Sequence, residues 1–321
     1  MLTKIDGGRW ANAGGSSLKK AADAESAATF SLEPLLPEAI ALAAEDLGVK
    51  KAKLGAGMLF GLAVLGGAFV ALGGLFATVT ISGAAGHLPY GVMRLLMGAT
   101  FSLGLMLVVI AGAQLFTSDA LMVMAWASGR LKIGRMLRLW TTVWLGNFVG
   151  ALGVAALVFL SGLYTFGHGE VGASVLYLAA AKSTLATDHA FFLGILCNVL
   201  VCLAAWVAMG ARSIGDKILA MFLPIAAFVA IGGEHCVANM YFIPAGLFVK
   251  WWAPAAFWAD LASHGGSAPN IPLDQFAINL AAVTLGNWVG GALLVGAVYW
   301  LIFRSGIKLA EPIQEKRHKS I

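Results

Sequence analysis

The chain has 321 residues, of which 60% are hydrophobic and 12% are charged, and its mean hydropathy is +0.85. This composition is typical of a polytopic membrane protein and excludes soluble nucleotide-binding enzymes, disordered proteins and nucleic-acid binders. The net charge of +5 does not indicate nucleic acid as a partner, because Lys and Arg lie mainly beside apolar segments, where they orient membrane helices. We therefore expect the protein to be embedded in the lipid bilayer.

The N-terminal region precedes every membrane span. Residues 1–30 lack an apolar face, and we expect a disordered cytoplasmic extension. Over 31–53, Leu, Ile and Ala recur at helical spacing with Glu and Asp between them, which predicts an amphipathic helix at the cytoplasmic surface of the membrane. We expect a six-helix transmembrane domain over 54–309 and a charged cytoplasmic tail over 310–321.

Charge-free apolar runs predict five membrane spans, since about 20 helical residues cross a bilayer core. They cover 55–83, 95–118, 139–167, 190–211 and 275–303. A sixth run, 218–249, is interrupted by Glu234-His235, is too long for one straight span and contains no polar loop, so it predicts a single broken span.

Six spans place both termini on the same side of the membrane. Basic residues precede the first span, follow the last, and fill the loop between spans two and three, where Asp119 is the single acid. The positive-inside rule therefore predicts cytoplasmic termini in the cell inner membrane, with Lys182 and Lys250 as exceptions on the outer side. Lys182 is expected in the outer loop after span three, either attracting anions or lying at the interface as a lipid-facing lysine does.

An internal repeat divides the transmembrane domain into two halves. Leu145-Gly-Asn147-Phe-Val-Gly150 in span three recurs as Leu285-Gly-Asn287-Trp-Val-Gly290 in span six. Three spans per half force the halves into opposite orientations, which predicts an inverted repeat of the kind found in many transporters and channels. The fold class is therefore an all-α membrane protein of two inverted three-helix repeats.

The second helix of each half carries a matching polar interruption. The two segments are Ala111 to Ser118 and Gly232 to Asn239. Backbone groups freed by a break are costly in lipid, so broken helices two and five should face a pore. Close helix packing at glycine is the alternative interpretation.

Glu234 and His235 lie at mid-membrane, where an ionisable residue costs about 2.5 to 3.5 kcal/mol. Glu234 is interpreted first as a cap of the broken helix, with substrate contact as the alternative. His235 can donate and accept hydrogen bonds and titrates near neutral pH, so it suits a pore that binds a small anion or exchanges a proton with it. A haem ligand is the rival role, but no second motif supports a cofactor, and none is expected.

Thr117 and Asn239 are uncharged hydrogen-bonding side chains at the two breaks. Either could orient an oxyanion or satisfy freed carbonyl groups. Several apolar residues near the breaks are ordinary core positions by default and could also form hydrophobic constrictions. They are Phe101, Leu105, Leu115, Phe116, Val201 and Phe228.

At these residues the chain resembles the formate/nitrite transporter family, and particularly its bacterial formate channels. The resemblance is carried by Leu35-Leu-Pro-Glu-Ala39, Gly48-Val-Lys-Lys-Ala52, Phe101-Ser-Leu-Gly-Leu105, Leu115-Phe-Thr-Ser118, Ala127-Ser-Gly-Arg130, Gly146-Asn147, Gly194-Ile-Leu-Cys-Asn-Val-Leu-Val-Cys202, Glu234-His-Cys-Val-Ala-Asn-Met-Tyr-Phe-Ile-Pro244 and Gly286-Asn287. The first thirty residues fall outside it.

The resemblance implies an aquaporin-like homopentamer with one pore per protomer, carrying formate or related small monovalent anions. It makes His235 the central pore histidine, with Asn239 beside it, Thr117 on the loop that breaks span two, and Lys182 in the outer vestibule. It puts Phe101 and Phe228 at an outer constriction, and Leu105, Leu115, Phe116 and Val201 near an inner one. We expect four further residues to contact the pore-lining residues without lining the pore themselves: Glu234, Asn147, Asn198 and Asn287.

Alternative functions remain at the level of sequence. Nitrite, hydrosulfide or lactate could be the substrate within the same family. An aquaglyceroporin-like channel would share the inverted halves but lacks paired Asn-Pro-Ala motifs here, and a membrane-embedded redox enzyme would need cofactor ligands. A bare anion is costly to move through a ring of Phe and Leu, so a proton is an expected partner, and both cotransport and anion conduction fit.

Overall fold

The computed structural model describes residues 3–4, 10–11 and 33–306. Thr3–Lys4 and Trp10–Ala11 form two short strands, β1 and β2, that pair antiparallel. Apart from these two strands, the predicted disordered extension, 1–30, lies outside the described residues. The predicted tail, 310–321, also lies outside them. Residues from Leu35 onward form a structural unit of their own, which carries the transmembrane helices.

The helix expected within 31–53 forms as α1, Pro37–Ala52. Proline opens it, where a missing backbone N–H loses no hydrogen bond. Its acids do not all face solvent as the amphipathic pattern predicts, because Glu45 is fully buried. The Glu45 carboxylate instead accepts hydrogen bonds from Ser128, Arg130 and Arg304, so protein contacts cover this side of α1.

The first half of the domain contains three spans in chain order. They are α2 (Ala56–Ile81), the broken span of α3 (Tyr90–Phe101), α4 (Leu103–Ala111), α5 (Phe116–Asp119), a 3₁₀ turn (Ala120–Met122) and α6 (Val123–Ala127), and then α7 (Ile133–Leu160).

The second half repeats this order after a short 3₁₀ turn, Leu163–Thr165. It contains α8 (Glu170–Ser183), α9 (Thr187–Gly210), the broken span of α10 (Ile214–Ala230) and α11 (Cys236–Trp252), α12 (Ala255–Ser263), and a last span of α13 (Leu273–Trp288), a π-helix (Val289–Ala297) and α14 (Val298–Phe303).

Five helical runs of the described residues are long and apolar enough to cross a membrane, and α10 and α11, the two parts of the second broken span, are not among these five. The predicted all-α membrane fold is therefore confirmed. Three details differ. Helix α7 starts at Ile133 rather than at 139, so Arg135 and Arg138 lie on the span. Asp119 ends helix α5 and is buried rather than lying in a loop. Lys182 lies in the last turn of α8 and not in a loop.

Glycines of the repeated motif bring spans into close contact. A Cβ on Gly150 would lie 1.9 Å from the carbonyl oxygen of Val64, and one on Gly290 would lie 2.3 Å from that of Ile195. Any side chain at these positions would therefore separate α7 from α2, and the last span from α9. Close packing at glycine thus exists in the repeat, alongside the breaks described next.

Candidate functional site

The two breaks have the same backbone geometry. Gly112 and Gly232 follow the first half-helices with φ of 86° and 84°, a left-handed conformation that strains any residue with a Cβ. The chain then runs in extended form to the N-cap residues Leu115 and His235, and the helix resumes at the next residue. The sequence interruption in each half is therefore a true helix break.

Each break is held by the asparagine of the repeated motif. Asn147 Oδ1 accepts a hydrogen bond from the backbone N–H of Phe116 at 2.9 Å, and its Nδ2 donates to the carbonyl of Gln114, also at 2.9 Å. A second bond from Nδ2 reaches the carbonyl of Ala63 at 2.7 Å. One side chain thus satisfies two buried backbone groups that the break leaves free and joins them to α2.

Asn287 makes the equivalent bonds in the second half. Its Oδ1 accepts from the backbone N–H of Cys236 at 2.9 Å, and its Nδ2 donates to the carbonyls of Glu234 and Gly194, both at 2.8 Å. The matching partners place Gln114 and Glu234 at equivalent positions of the two halves. The internal repeat therefore reflects a shared device for stabilising a broken span.

His235 uses both ring nitrogens. The backbone N–H of Ala238 donates to Nδ1 at 3.1 Å, which makes His235 the N-cap of α11. The other nitrogen, Nε2, lies 2.8 Å from the Thr117 hydroxyl. Because Nδ1 is an acceptor, the neutral ring carries its proton on Nε2 and donates it toward Thr117. This bond joins the break of span five to that of span two.

Glu234 belongs to a side-chain network rather than to the helix cap. Its carboxylate accepts from Lys182 Nζ at 2.8 Å and from Asn239 Nδ2 at 2.7 Å. Asn239 Nδ2 also donates to Asn279 Oδ1, and Asn279 Nδ2 donates back to the Lys182 carbonyl. The capping role first expected for Glu234 is therefore wrong, because His235 performs it, and Glu234 is instead the anionic partner of Lys182.

Asn198 lies where the two halves meet. Its Nδ2 donates to the carbonyl of Thr117 at 3.2 Å and to the carbonyl of Asn287 at 2.6 Å. The Thr117 carbonyl also accepts a contact from Cys202 Sγ at 3.4 Å. Asn198 therefore fixes the backbone of the residue whose hydroxyl faces His235.

The expected constriction residues divide into two groups. Phe101 and Phe228 form an edge-to-face pair with ring centroids 5.6 Å apart, and the Phe228 ring lies 5.9 Å from that of His235. Both phenylalanines line a cavity together with His235. The second group is buried and lines neither this cavity nor the one beside the break of span two: Leu105, Leu115, Phe116 and Val201.

Two cavities lead toward the breaks. One, of about 320 Å³, is lined by His235, Glu234, Lys182, Phe228 and Arg94 among others, and we call it the Lys182 cavity. The other, of about 460 Å³, is the Lys51 cavity, and it is lined by Lys50, Lys51, Gln114, Ser118, Asp119 and Lys217 among others. Each cavity thus contains cationic groups beside one of the two breaks.

Sequence reasoning missed two charged residues at these cavities. Arg94 donates to the carbonyls of Val229 and Ala230 at the end of α10. Lys51 Nζ lies 2.5 Å from Asp119, whose carboxylate is fully buried. The available signal was a charge at the border of an apolar run, but the partners are more than 60 residues away in sequence, so the contacts needed the fold.

Comparisons with known proteins fit this architecture. Residues 38–301 match the sequence model described as Formate/nitrite transporter. The chain belongs to the formate/nitrite transporter family. It is 42% identical over 270 residues to the formate channel FocA of Escherichia coli (strain K12), covering 84% of this chain and 94% of that protein. It is 38% identical to a probable formate transporter of Methanothermobacter thermautotrophicus, covering 83% and 96% of the two chains.

Two solved structures have the same fold. A pentameric formate channel with formate bound has 40% identity and a TM-score of 0.72, covering 77% of this chain and 97% of its own. An FNT family ion channel has 30% identity and a TM-score of 0.68, covering 82% and 98%. Membership confirms a multi-pass membrane protein of a channel and transporter family rather than an enzyme.

Proposed function

We propose that this protein is a channel or proton-coupled transporter for formate and related small monovalent anions. The observation that carries the proposal is the contact between His235 Nε2 and the Thr117 hydroxyl at 2.8 Å, where the two broken spans meet. The names of the formate-carrying relatives support the choice of formate. The solved pentameric relative supports assembly as a homopentamer with one such pathway in each protomer.

The site can hold an anion through two neutral donors. The Nε2–H of His235 and the Thr117 hydroxyl can each donate one hydrogen bond to an anion, and both groups are almost completely buried. A carboxylate oxygen between them replaces the direct bond of Thr117 to His235 and loses no donor. Donors fixed in advance compensate for the water that the anion leaves behind, which is the main cost of moving it into an apolar site.

A proton can join the anion at the same place. A negative charge beside Nε2 favours the charged imidazolium, whereas a proton on Nδ1 displaces the Ala238 N–H from its acceptor. Formation of the imidazolium is therefore linked to the arrival of an anion. The imidazolium forms when Nδ1 takes up a proton from water. If Nε2 then gives its own proton to the carboxylate, the ring is neutral with its proton on Nδ1, and return of that proton to water as Nε2 takes up another restores the bond from Ala238. The species that passes Phe101 and Phe228 is then a neutral acid, which is much cheaper to desolvate.

The remaining residues have supporting roles in the proposal. Lys182 and Glu234 form a compensated pair in the wall of the Lys182 cavity, and Asn239 holds the Glu234 carboxylate in place. The aromatic pair Phe101 and Phe228 narrows the Lys182 cavity beside His235. We place the protein in the cell inner membrane with both termini in the cytoplasm, as the distribution of basic residues favours.

Uptake by liposomes that contain the purified protein tests the proposal. Formate, nitrite, lactate, hydrosulfide and glycerol are compared across pH, with protein-free liposomes as the control. We expect saturable formate uptake that exceeds lactate uptake, and glycerol uptake no faster than the control. Equal passage of formate and glycerol would replace the proposal by an aquaglyceroporin-like function, and preference for another tested anion would reassign the substrate within the family.

A further inference from the structure

We propose that Arg94 is a positioning residue that sets the width of the Phe101–Phe228 constriction and thereby the size of the acid that passes. The inference rests on the proposed function, because the constriction has a selective role only if small acids cross it. Arg94 itself is outside the His235 and Thr117 site and acts through the two helices that carry the phenylalanines.

The guanidinium of Arg94 binds the end of the helix that carries Phe228. Its Nε donates to the carbonyl of Ala230 at 3.3 Å, and its Nη2 donates to the carbonyl of Val229. The last carbonyls of a helix have no partner within the helix. A rigid, planar fork of donors suits two neighbouring carbonyls, so Arg94 fixes the end of α10 directly before the break.

Two further contacts join α3 to α10 and, with the Arg94 contact, form a line along the two helices. A Cβ on Gly98 would lie only 2.4 Å from the carbonyl oxygen of Ala226, so the backbones touch there. The hydroxyl of Ser102, which is fully buried, shares its proton between the carbonyl of Gly98 in its own helix at 3.0 Å and the carbonyl of Phe222 on α10 at 3.2 Å. Arg94, Gly98 and Ser102 follow one another at four-residue spacing and therefore share one helix face.

The phenylalanines lie within this line of contacts. Phe101 precedes Ser102 on the first helix, and Phe228 precedes Val229 on the second. Their ring distance of 5.6 Å is consequently fixed by contacts on both sides of the pair. The Arg94 contact is the one nearest to the break, since Nη2 lies 3.7 Å from the position of a Cβ on Gly232. Without it, α10 can shift at the end where Phe228 narrows the passage.

A different role for Arg94 is the attraction of anions, because it lines the Lys182 cavity. Two of its donors are already occupied by carbonyls, which favours positioning over attraction. The two roles separate experimentally in Arg94→Lys, because lysine keeps the charge and loses the planar fork. Arg94→Met removes both, and Arg138→Met is a matched control at an exposed arginine of α7.

The test measures formate and lactate uptake in liposomes for the wild-type protein, these variants, and their combinations with Phe228→Ala. We expect Arg94→Lys and Arg94→Met to raise the ratio of lactate to formate uptake roughly threefold to tenfold. This is at or below the lower end of the discrimination between two substrates that one methylene group gives in a hydrophobic pocket. Arg138→Met keeps the wild-type ratio. In the Phe228→Ala background, Arg94→Lys changes the ratio by less than about twofold, because the residue through which Arg94 acts is gone.

Two results would overturn the inference. One is an unchanged ratio of lactate to formate uptake in Arg94→Lys while the wild-type protein takes up formate; weaker formate uptake by Arg94→Met at low salt would then assign Arg94 to anion attraction. The other is a full multiplicative effect of Arg94→Lys on this ratio in the Phe228→Ala background. Absence of formate uptake by the wild-type protein would instead overturn the proposed function together with this inference. Arg94→Lys decides the matter if Arg94→Met does not fold.

Discussion

His235 has a structural and a chemical role in one ring. Nδ1 caps helix α11 by accepting from the Ala238 N–H, and Nε2 faces Thr117. The cap fixes the ring orientation, so Nε2 points toward the proposed path of the anion. Asparagine is also a good N-cap and can replace the first role without the second. This residue therefore offers a substitution that separates folding from transport.

Lys182 and Glu234 compensate each other, and their pairing changes what a lysine substitution means. Removing the lysine leaves a carboxylate that is nearly buried and adjacent to His235 without its cation. An unpaired buried charge is strongly unfavourable and repels an incoming anion. The effect of the substitution therefore reports more than the loss of an attractive positive charge.

We predict that Lys182→Met lowers formate uptake about tenfold or more, the effect of roughly 1.4 kcal/mol of added repulsion. The double variant Lys182→Met/Glu234→Gln should recover most of the uptake, because it removes the unpaired charge. Lys250→Met, at the last turn of α11, is the control for a loss of positive charge elsewhere. Failure of the double variant to recover uptake, despite normal folding, would show that Lys182 acts through its own charge.

At the scale of helices, the asparagine of each repeated motif replaces bonds that a continuous helix makes within itself. Asn147 binds Phe116 and Gln114, and Asn287 binds Cys236 and Glu234. Both side chains are completely buried. Leaving such backbone groups without partners costs about 1 to 3 kcal/mol for each group.

We predict that Asn287→Leu lowers thermal stability in detergent strongly and that Asn147→Leu has a similar effect, since the bonds match in the two halves. Asn270→Leu, at an exposed position, should leave the melting temperature nearly unchanged. Melting curves followed by intrinsic fluorescence give the comparison. A melting temperature of Asn287→Leu equal to that of Asn270→Leu would contradict the stabilising role.

The sequence predicted the positions of the helices better than the side-chain contacts between them. Apolar runs and glycine with polar residues were sufficient to predict six spans and two breaks, because both are local properties. The cap formed by His235 and the pairing of Lys182 with Glu234 were not predictable, since several nearby polar groups could have made either bond. Helix α8 was missed because its 14 residues are too few to cross a bilayer core and lie between two predicted spans, and this is why Lys182 was expected in a loop.

At the scale of the whole molecule, Glu45 joins α1 to the distant ends of two spans. Its carboxylate binds Ser128 and Arg130 after α6, and Arg304 after the last span. Burial tends to raise the pKa of Glu45, but hydrogen bonds from Arg304, Ser128 and Arg130 hold this pKa below the usual value of 4.5. The stabilisation is therefore complete above that value and is lost as the pH falls through the lower folded pKa.

We predict that Glu45→Gln increases the hydrogen-exchange rates of the α1 amides about tenfold at pH 7. The reason is the loss of a charge-assisted hydrogen bond that stabilises α1 by roughly 1.5 kcal/mol. In the wild-type protein, acidification to about pH 5 should not loosen α1, because the carboxylate stays ionised there. Glu38→Gln, an exposed acid of the same helix, is the control. Loosening of wild-type α1 between pH 7 and pH 5, after correction for intrinsic exchange, would contradict this assignment.

The central claim is that an anion crosses between the two cavities at the bond between His235 and Thr117. The most direct measurement is the pH profile of formate uptake in liposomes for the wild-type protein, His235→Asn and the control His189→Asn, whose site is exposed. We predict that His235→Asn folds normally but loses the pH dependence of formate uptake that the imidazole gives the wild-type protein, whereas His189→Asn keeps the wild-type profile. An unchanged profile in folded His235→Asn would contradict the claim and remove His235 from the mechanism.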